Sequence, residues 1–304
     1  MESGGESRVL HCGAGNLARQ EASIDHRNRY SGKLISPEAA AGLVKSGMWV
    51  HYGYSLGFPR LMDEMVAQRS EELHGVKIRA ALAENEPQVL RVDPFQDHFI
   101  YSSFHLSSAE RRYHDRGCCS YIPSSLGEIP RMYRDGWADR PDIAFVQVTP
   151  MNEDGHFNFG AAIAYEKALC DSAGTVVLEV NESQPWVNGG RDEVIHISEV
   201  DYVVENRKYD LAECPESPVE PEDELIAAHI ADRMEDGSTI ELGIGGIPTA
   251  IANLLIESRL KDLGIHSGSI TDGVVDLIQA GIVTCTFIVA SSSATTAPIS
   301  GPSR

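Results

Sequence analysis

Ser238-Thr239-Ile240-Glu241-Leu242-Gly243-Ile244-Gly245-Gly246-Ile247-Pro248 is the stretch whose reading decides the fold class. Ser238 to Leu242 has the short, branched, apolar character of a buried strand, and a glycine-rich turn follows at once. A helix should then begin: Pro248 suits a first helical turn, where its missing N–H goes unused, and Ala250 to Leu255 supplies an apolar run for packing. The same order of strand, turn and helix repeats up to Gly281, with His266-Ser267-Gly268-Ser269-Ile270-Thr271-Asp272-Gly273 as its second turn. Strands alternating with helices predict a parallel α/β sheet. Gly243, Gly245 and Gly246 let the backbone approach a ligand, while the free N–H groups and positive end of the helix favour an anion such as phosphate. Gly243, Ile244, Gly245, Gly246 and Ile247 are therefore candidate binding residues. Their spacing is neither GxGxxG nor GxxxxGK[ST], so the two familiar nucleotide fingerprints do not apply, and such a turn can also be plain punctuation between strand and helix.

Other segments stand around this core in order. Downstream come Asp262-Leu263-Gly264-Ile265-His266-Ser267, then Thr271-Asp272-Gly273-Val274-Val275-Asp276-Leu277 and Ala280-Gly281. Upstream are Ser46-Gly47 with Tyr52-Gly53, Gly127-Glu128-Ile129-Pro130-Arg131, Val146-Gln147-Val148-Thr149-Pro150, Asp154-Gly155-His156 with Phe159-Gly160, Val180-Asn181-Glu182, and Ile197 to Tyr202. From Tyr30 to Thr286 the chain resembles the acetyl-CoA hydrolase/transferase family, in particular its 4-hydroxybutyrate CoA-transferase-like members, shortened on the C-terminal side. The resemblance implies two tandem open α/β domains of the CoA-transferase type, the second incomplete. It also implies coenzyme A as a substrate, an acyl-CoA and a small carboxylic acid as partners, and a homo-oligomer.

In that family the resemblance implies a ping-pong reaction. A glutamate carboxylate attacks an acyl-CoA thioester and then holds CoA as a glutamyl thioester until an acceptor acid collects it. That glutamate follows the His-Ser pair of the motif, and here the position is Gly268. Glycine can form neither the mixed anhydride nor the glutamyl thioester. Loss of a nucleophile alone lowers turnover by on the order of a millionfold in a well-studied protease. If the segment is a strand, its side chains alternate, so Ser267 and Ser269 point away from the face of residue 268 while His266 shares it. His266 could then serve as general base for a water at the site of the missing carboxylate, turning the chemistry toward acyl-CoA hydrolysis. Relatives that keep the glutamate carry this histidine too. The remaining alternative is an inactive CoA-binding module or fragment.

Composition narrows the partners. Of 304 residues, 42% are hydrophobic, enough for one large or two medium domains. Forty-five acidic against 25 basic residues give a net charge of −20, which repels nucleic acid and anionic membrane alike. No apolar run is long enough for a spanning helix, and the first residues lack a secretory apolar region. Six cysteines without CxxC spacing indicate neither zinc nor a disulfide framework and fit a cytoplasmic protein. Glu153, Asp154 and His156 are better explained by turn geometry than by a metal, and no metal is expected.

The chain organisation expected from these signals is a flexible arm over 1–29, a first α/β domain over 30–211 and a linker over 212–221. A partial second α/β domain over 222–287 and a disordered tail over 288–304 follow. Within the first domain Ser36-Pro37-Glu38 starts a helix running to Lys45. Strands are expected over Met48 to Gly53, Val76 to Ala83 and Ile143 to Val148, and helices over Pro59 to Gln68, Ala109 to Arg116 and Gly127 to Tyr133. A hairpin is expected at Asp154-Gly155. Asp223 to Met234 should be an amphipathic helix. The Glu84-Asn85-Glu86-Pro87 turn could offer a backbone N–H to a thioester carbonyl, although its acids read as solvent-facing, and Glu128 reads as a helix cap.

Overall fold

The computed structural model describes residues 25–292 except 189, 191 and 214–216. Residues 25–33 are helical (α1), so ordered backbone runs ahead of Tyr30. The first unit follows as α2 (Pro37–Ala41), β1 (Trp49–Tyr54), α3 (Arg60–Ala67), β2 (Val76–Ala81), α4 (Gln88–Val92), β3 (Phe99–Ser103), α5 (Ser108–His114), β4 (Ser120–Tyr121), α6 (Ile129–Arg134) and β5 (Ile143–Val148). Then come β6 (His156–Asn158), α7 (Glu166–Ser172), β7 (Thr175–Asn181), β8 (Val194–His196) and β9 (Tyr202–Asn206). Seven strands form one sheet in the order β4-β3-β2-β1-β5-β7-β9, each neighbouring pair parallel.

Helices cover both faces of this sheet, so its central strands are apolar on both sides. All six residues of β5 are buried. Alternate residues supply opposite cores: Tyr52, Ile78, Phe145 and Val177 pack with Leu61, Met62 and Val66, whereas Val146, Leu178 and Val203 pack with Tyr133, Tyr165 and Leu169. The helix start at Ser36 is as expected, with Ser36 Oγ accepting from the Ala39 N–H at 3.2 Å. That helix stops at Ala41 rather than Lys45, because Gly42 closes it and a turn leads to β1. The expected hairpin is different in pairing. The Asp154-Gly155 turn is present, with Asn152 N–H donating to His156 O at 2.8 Å, yet β6 takes β8 as its antiparallel strand partner. Strands β3 and β9 and helix α4 were not expected from the pattern.

The second unit consists of α8 (Pro221–Ala231), β10 (Thr239–Ile240), α9 (Gly246–Glu257), β11 (Leu263–Ile270), α10 (Asp272–Gln279) and β12 (Val283–Ser292). Its three strands are parallel in the order β10-β11-β12. Both sequence units around Ser238 to Gly281 are strand, turn and helix, and the fold is α/β throughout. Two differences from expectation stand out. Strand β12 continues to Ser292, across residues assigned to a tail. Helix α8 does not bury an apolar face: Ala227 is its buried residue, while Leu225, Ile226 and Ile230 are exposed.

Candidate active site

In open parallel α/β sheets, ligands bind beyond the carboxyl ends of the strands. Two of the three left-handed non-glycine residues described in the first unit lie there. Ser55 and Leu82 follow β1 and β2, adjacent strands, and have φ of +48° and +51°, a region that non-glycine residues occupy only when their surroundings enforce it. Ser55 Oγ donates to Glu84 Oε1 at 2.7 Å. The carbonyl of Leu56 accepts from Gln147 Nε2 and Gln184 Nε2, each at 2.7 Å, and Asn181 Nδ2 donates to Gln147 Oε1 at 2.9 Å. Side chains from the ends of β5 and β7 thus hold the turn after β1 in its strained form. A buried amide left unpaired would be destabilising by about 1–3 kcal/mol, so the network is self-enforcing.

Two motif glycines serve this packing. A Cβ on Gly53 would collide with the Gly57 carbonyl, and one on Gly160, at φ +77°, would collide with Gln184 Oε1. The acids of the Glu84 to Pro87 turn are not solvent-facing as expected. Both are half-buried, Glu84 accepting from Ser55 and Glu86 from the Tyr113 hydroxyl at 2.8 Å. Glu128 is exposed and makes no capping hydrogen bond, so its expected capping role is not observed. Tyr165 is buried with its hydroxyl on the Tyr52 carbonyl at 3.2 Å, and Lys167 pairs with Asp171 and Glu199. A cavity of about 380 Å³ that sequence reasoning missed lies beyond β5, β7 and β9, lined by Arg27, Tyr30, Met151, Glu182, Glu205 and Arg207 among others. Tyr30 donates to Glu205 at 3.3 Å, and burial first, then the Glu205 charge, pushes its phenol well up. The position of these residues after strand ends was the available signal.

The second unit brings together the residues singled out in its sequence. The turn after β10 carries Gly243, Ile244 and Gly245, and α9 opens at Gly246 with Gly245 at φ +146° as its N-cap. Ile244 is 61% exposed. No side chain caps the helix. On the neighbouring strand, Ser267 is buried and its Oγ donates to the Leu242 carbonyl at 2.9 Å, tying the start of the glycine turn to the residue before Gly268. Ile265 and Ser267 are buried, His266 is exposed and Gly268 half-buried. The ladder to β12 shifts register between Ser267 and Ser269, so Gly268 sits at an irregularity. A Cβ at Gly268 would meet no heavy atom of the described residues within 4 Å, and its φ is outside the left-handed region. Gly246 is different, for there a Cβ would collide with the Asp223 carboxylate. That acid lies at the positive end of α9, a contact invisible in the sequence, and it takes up one side of the anion cradle.

Chemically, the arrangement sets the start of α9, with the Asp223 carboxylate beside it, next to the strand end that carries position 268. Among the described residues no group of three or more histidines, cysteines or acids could hold a metal ion, and no helix is long and apolar enough to cross a membrane.

Comparison with known proteins bears on this geometry. The acetyl-CoA hydrolase/transferase N-terminal domain pattern matches residues 16–213. The butyryl-CoA:acetate CoA-transferase of Anaerostipes caccae is 36% identical over 262 residues, 86% of this chain and 58% of that protein. The crystal structure of RipA from Yersinia pestis superposes with a TM-score of 0.74 at 27% identity, covering 88% of this chain and 66% of that one. The 4-hydroxybutyrate CoA-transferase of Porphyromonas gingivalis gives a TM-score of 0.64 at 27% identity, covering 87% and 64%. The chain thus spans a little under three fifths of the length of the curated relative it matches.

Proposed function

Because the chain belongs to the acetyl-CoA hydrolase/transferase family, we propose that it binds an acyl-CoA and moves CoA between that thioester and a small carboxylic acid. CoA is substrate in this reading, and no metal takes part. The observation that carries it is the pairing of the glycine turn, Gly243 to Ile247, with position 268 at the same end of adjacent parallel strands, joined by the Ser267 to Leu242 hydrogen bond. An anionic CoA group at the start of α9 would leave its thioester within the reach of that strand end. A homo-oligomer and a cytoplasmic location belong to the same reading.

Gly268 bars a covalent cycle through its own side chain. At Gly268→Glu the new Cβ would meet no heavy atom of the described residues within 4 Å. The variant should therefore gain exchange between acetyl-CoA and butyrate, measured as butyryl-CoA formed. Calorimetry should show CoA binding to both proteins. Absence of CoA binding to a folded chain would leave only a scaffold and reject the proposal.

His266 favours a second reading because it is exposed two residues before Gly268. As a general base for water it would make the protein an acyl-CoA hydrolase, typically contributing ~10²–10⁴-fold to rate. Free thiol released from acetyl-CoA without any acceptor would identify this activity. A His266→Ala variant retaining the full rate would remove the histidine from it.

A further inference from the structure

We propose that residues 25–29 of α1 form a pH-sensitive strap, one wall of the cavity beyond β5, β7 and β9. Three histidines from three separate segments hold it down while uncharged and release it when they take up protons. The strap belongs to the first unit and does not depend on the CoA reading.

His26 on α1 meets His196, the last residue of β8, edge to face with ring centroids 5.1 Å apart, and His196 meets His156, the first residue of β6, at 4.9 Å. The turn before β6 presses against them. Gly155 has φ +79°, and a Cβ there would stand 2.7 Å from His26 Nδ1 and 2.8 Å from His196 Nε2. Both nitrogens thus converge on one point of the backbone. His196 is fixed from its other side, with Nδ1 lying 2.8 Å from Ser198 Oγ. His26 Nδ1 is buried and makes no hydrogen bond among the described residues. An uncharged imidazole tolerates this, because that nitrogen can be a bare lone pair. An imidazolium carries an N–H at both nitrogens, so protonation would bury a charged donor that has no acceptor.

The acids around the cluster are engaged elsewhere or face water. On α1, Asp25 is paired with Arg29 at 2.8 Å. On the turn, Glu153 and Asp154 are exposed. After β8, Glu199 accepts from the His196 N–H and pairs with Lys167, which also pairs with Asp171. Burial first, then His156, His26 and Arg29, hold the His196 imidazole below its ordinary value near 6.5 against the pull of Glu199. A histidine held down in this way takes up its proton more readily once released. Its contact is therefore at full strength above about pH 6.5 and is lost as pH falls through the lowered value. The following turn of α1 is anchored without histidine: Tyr30 stacks on Phe157 and donates to Glu205, and Lys33 donates to the Ile197 and Val200 carbonyls. Arg27 lies between the two sets of contacts and lines the cavity with Tyr30, Met151, Glu182 and Arg207. Lifting residues 25–29 thus moves one wall of the cavity while the helix stays tethered.

Hydrogen exchange of the amides at 29–33, whose helical acceptors are the carbonyls of 25–29, provides the test, because a lifted single turn is not stable as helix. Rates are corrected for the intrinsic pH dependence of exchange, and the histidines are followed by NMR in the same unaltered chain. Between about pH 7.5 and 5.5, protection there should fall by about tenfold for each histidine that the closed strap keeps unprotonated, while β5 and β7 stay protected. The midpoint of the loss should coincide with titration of His26 and His196. His26→Phe keeps a ring against His196 and removes both the buried nitrogen and its titration, so it should remain protected at the lower pH. Equal protection of the unaltered chain at both pH values would overturn the strap, as would a loss shared by β5 and β7. A loss centred below about pH 5, where carboxylates titrate, or the same loss in His26→Phe, would overturn it equally.

Discussion

Gly160 and Gly268 are the same residue for opposite reasons. At Gly160 the backbone has φ +77° and a Cβ would strike Gln184 Oε1, the side chain whose amide also grips the Leu56 carbonyl. Gly160→Ala should therefore destabilise the chain by roughly 2–4 kcal/mol, from left-handed strain plus disturbance of a buried network. Chemical denaturation would measure this, and a loss below about 0.5 kcal/mol would show that the network relaxes at no cost. Among the described residues neither constraint exists at Gly268, so Gly268→Ala should be nearly neutral for stability. The sequence alone shows two glycines. The family resemblance singles out the second as a position of interest, but only the surrounding atoms show that the first is sterically required. Ser55 and Leu82 were illegible for a related reason, since their surroundings come from distant segments: Gln147, Gln184 and Asn181 hold the turn that contains Ser55 through the Leu56 carbonyl, and the Leu82 N–H donates to the His105 carbonyl at 2.6 Å.

Among elements, β5 could be read in advance to the residue because an unbroken apolar run buried on both faces has few alternative structures. Strand β3 could not: Ile100 is exposed while Ser102 and Ser103 are buried, which inverts the expected pattern. Helix α3 shows how distant residues complete an element. It begins after Pro59 with no local cap, and Glu179 on β7 accepts from the Leu61 and Met62 N–H groups at 3.3 and 2.9 Å. Burial pushes the Glu179 carboxyl up to about 7 despite these bonds, and burial likewise raises Asp63 and Glu166 to about 7. A carboxyl with a raised folded pKa holds its proton more tightly folded than unfolded. Its contribution is fully present below the unfolded value near 4.5 and is lost as pH rises to about 7. Each group should thus make stability fall by up to ~1.4 kcal/mol per pH unit across that window. Glu179→Gln should flatten the slope of stability against pH between 4.5 and 7 by about one group's share. An unchanged slope would mean that Glu179 is ionised in the folded chain throughout.

At the scale of the whole molecule the two parallel sheets are unequal. The larger has seven strands with helical layers and two cores, whereas the smaller has three strands with a single core built around Leu255, Leu263, Ile265 and Leu277. Around that core Leu225, Ile226, Ile230, Ile244, Leu254 and Ile256 remain exposed, so much of the apolar surface available to the unit stays in water. Burial contributes roughly 25 cal/mol per Å², while ordering the backbone opposes it by about 1–2 kcal/mol per residue. A unit that buries less per ordered residue opens at lower free energy than its neighbour. Hydrogen exchange should accordingly reach the amides of β10 and β11 well before those of β5 and β7, by a factor of on the order of a hundred for each ~2.7 kcal/mol of difference in opening free energy. CoA bound at the glycine turn should slow exchange in β10, α9 and β11 selectively, because a ligand stabilises the state that binds it. Uniform protection across both sheets would show instead that they unfold as one cooperative body. Slowing confined to the larger sheet would place the ligand away from the glycine turn and remove Gly243 to Ile247 from its binding site.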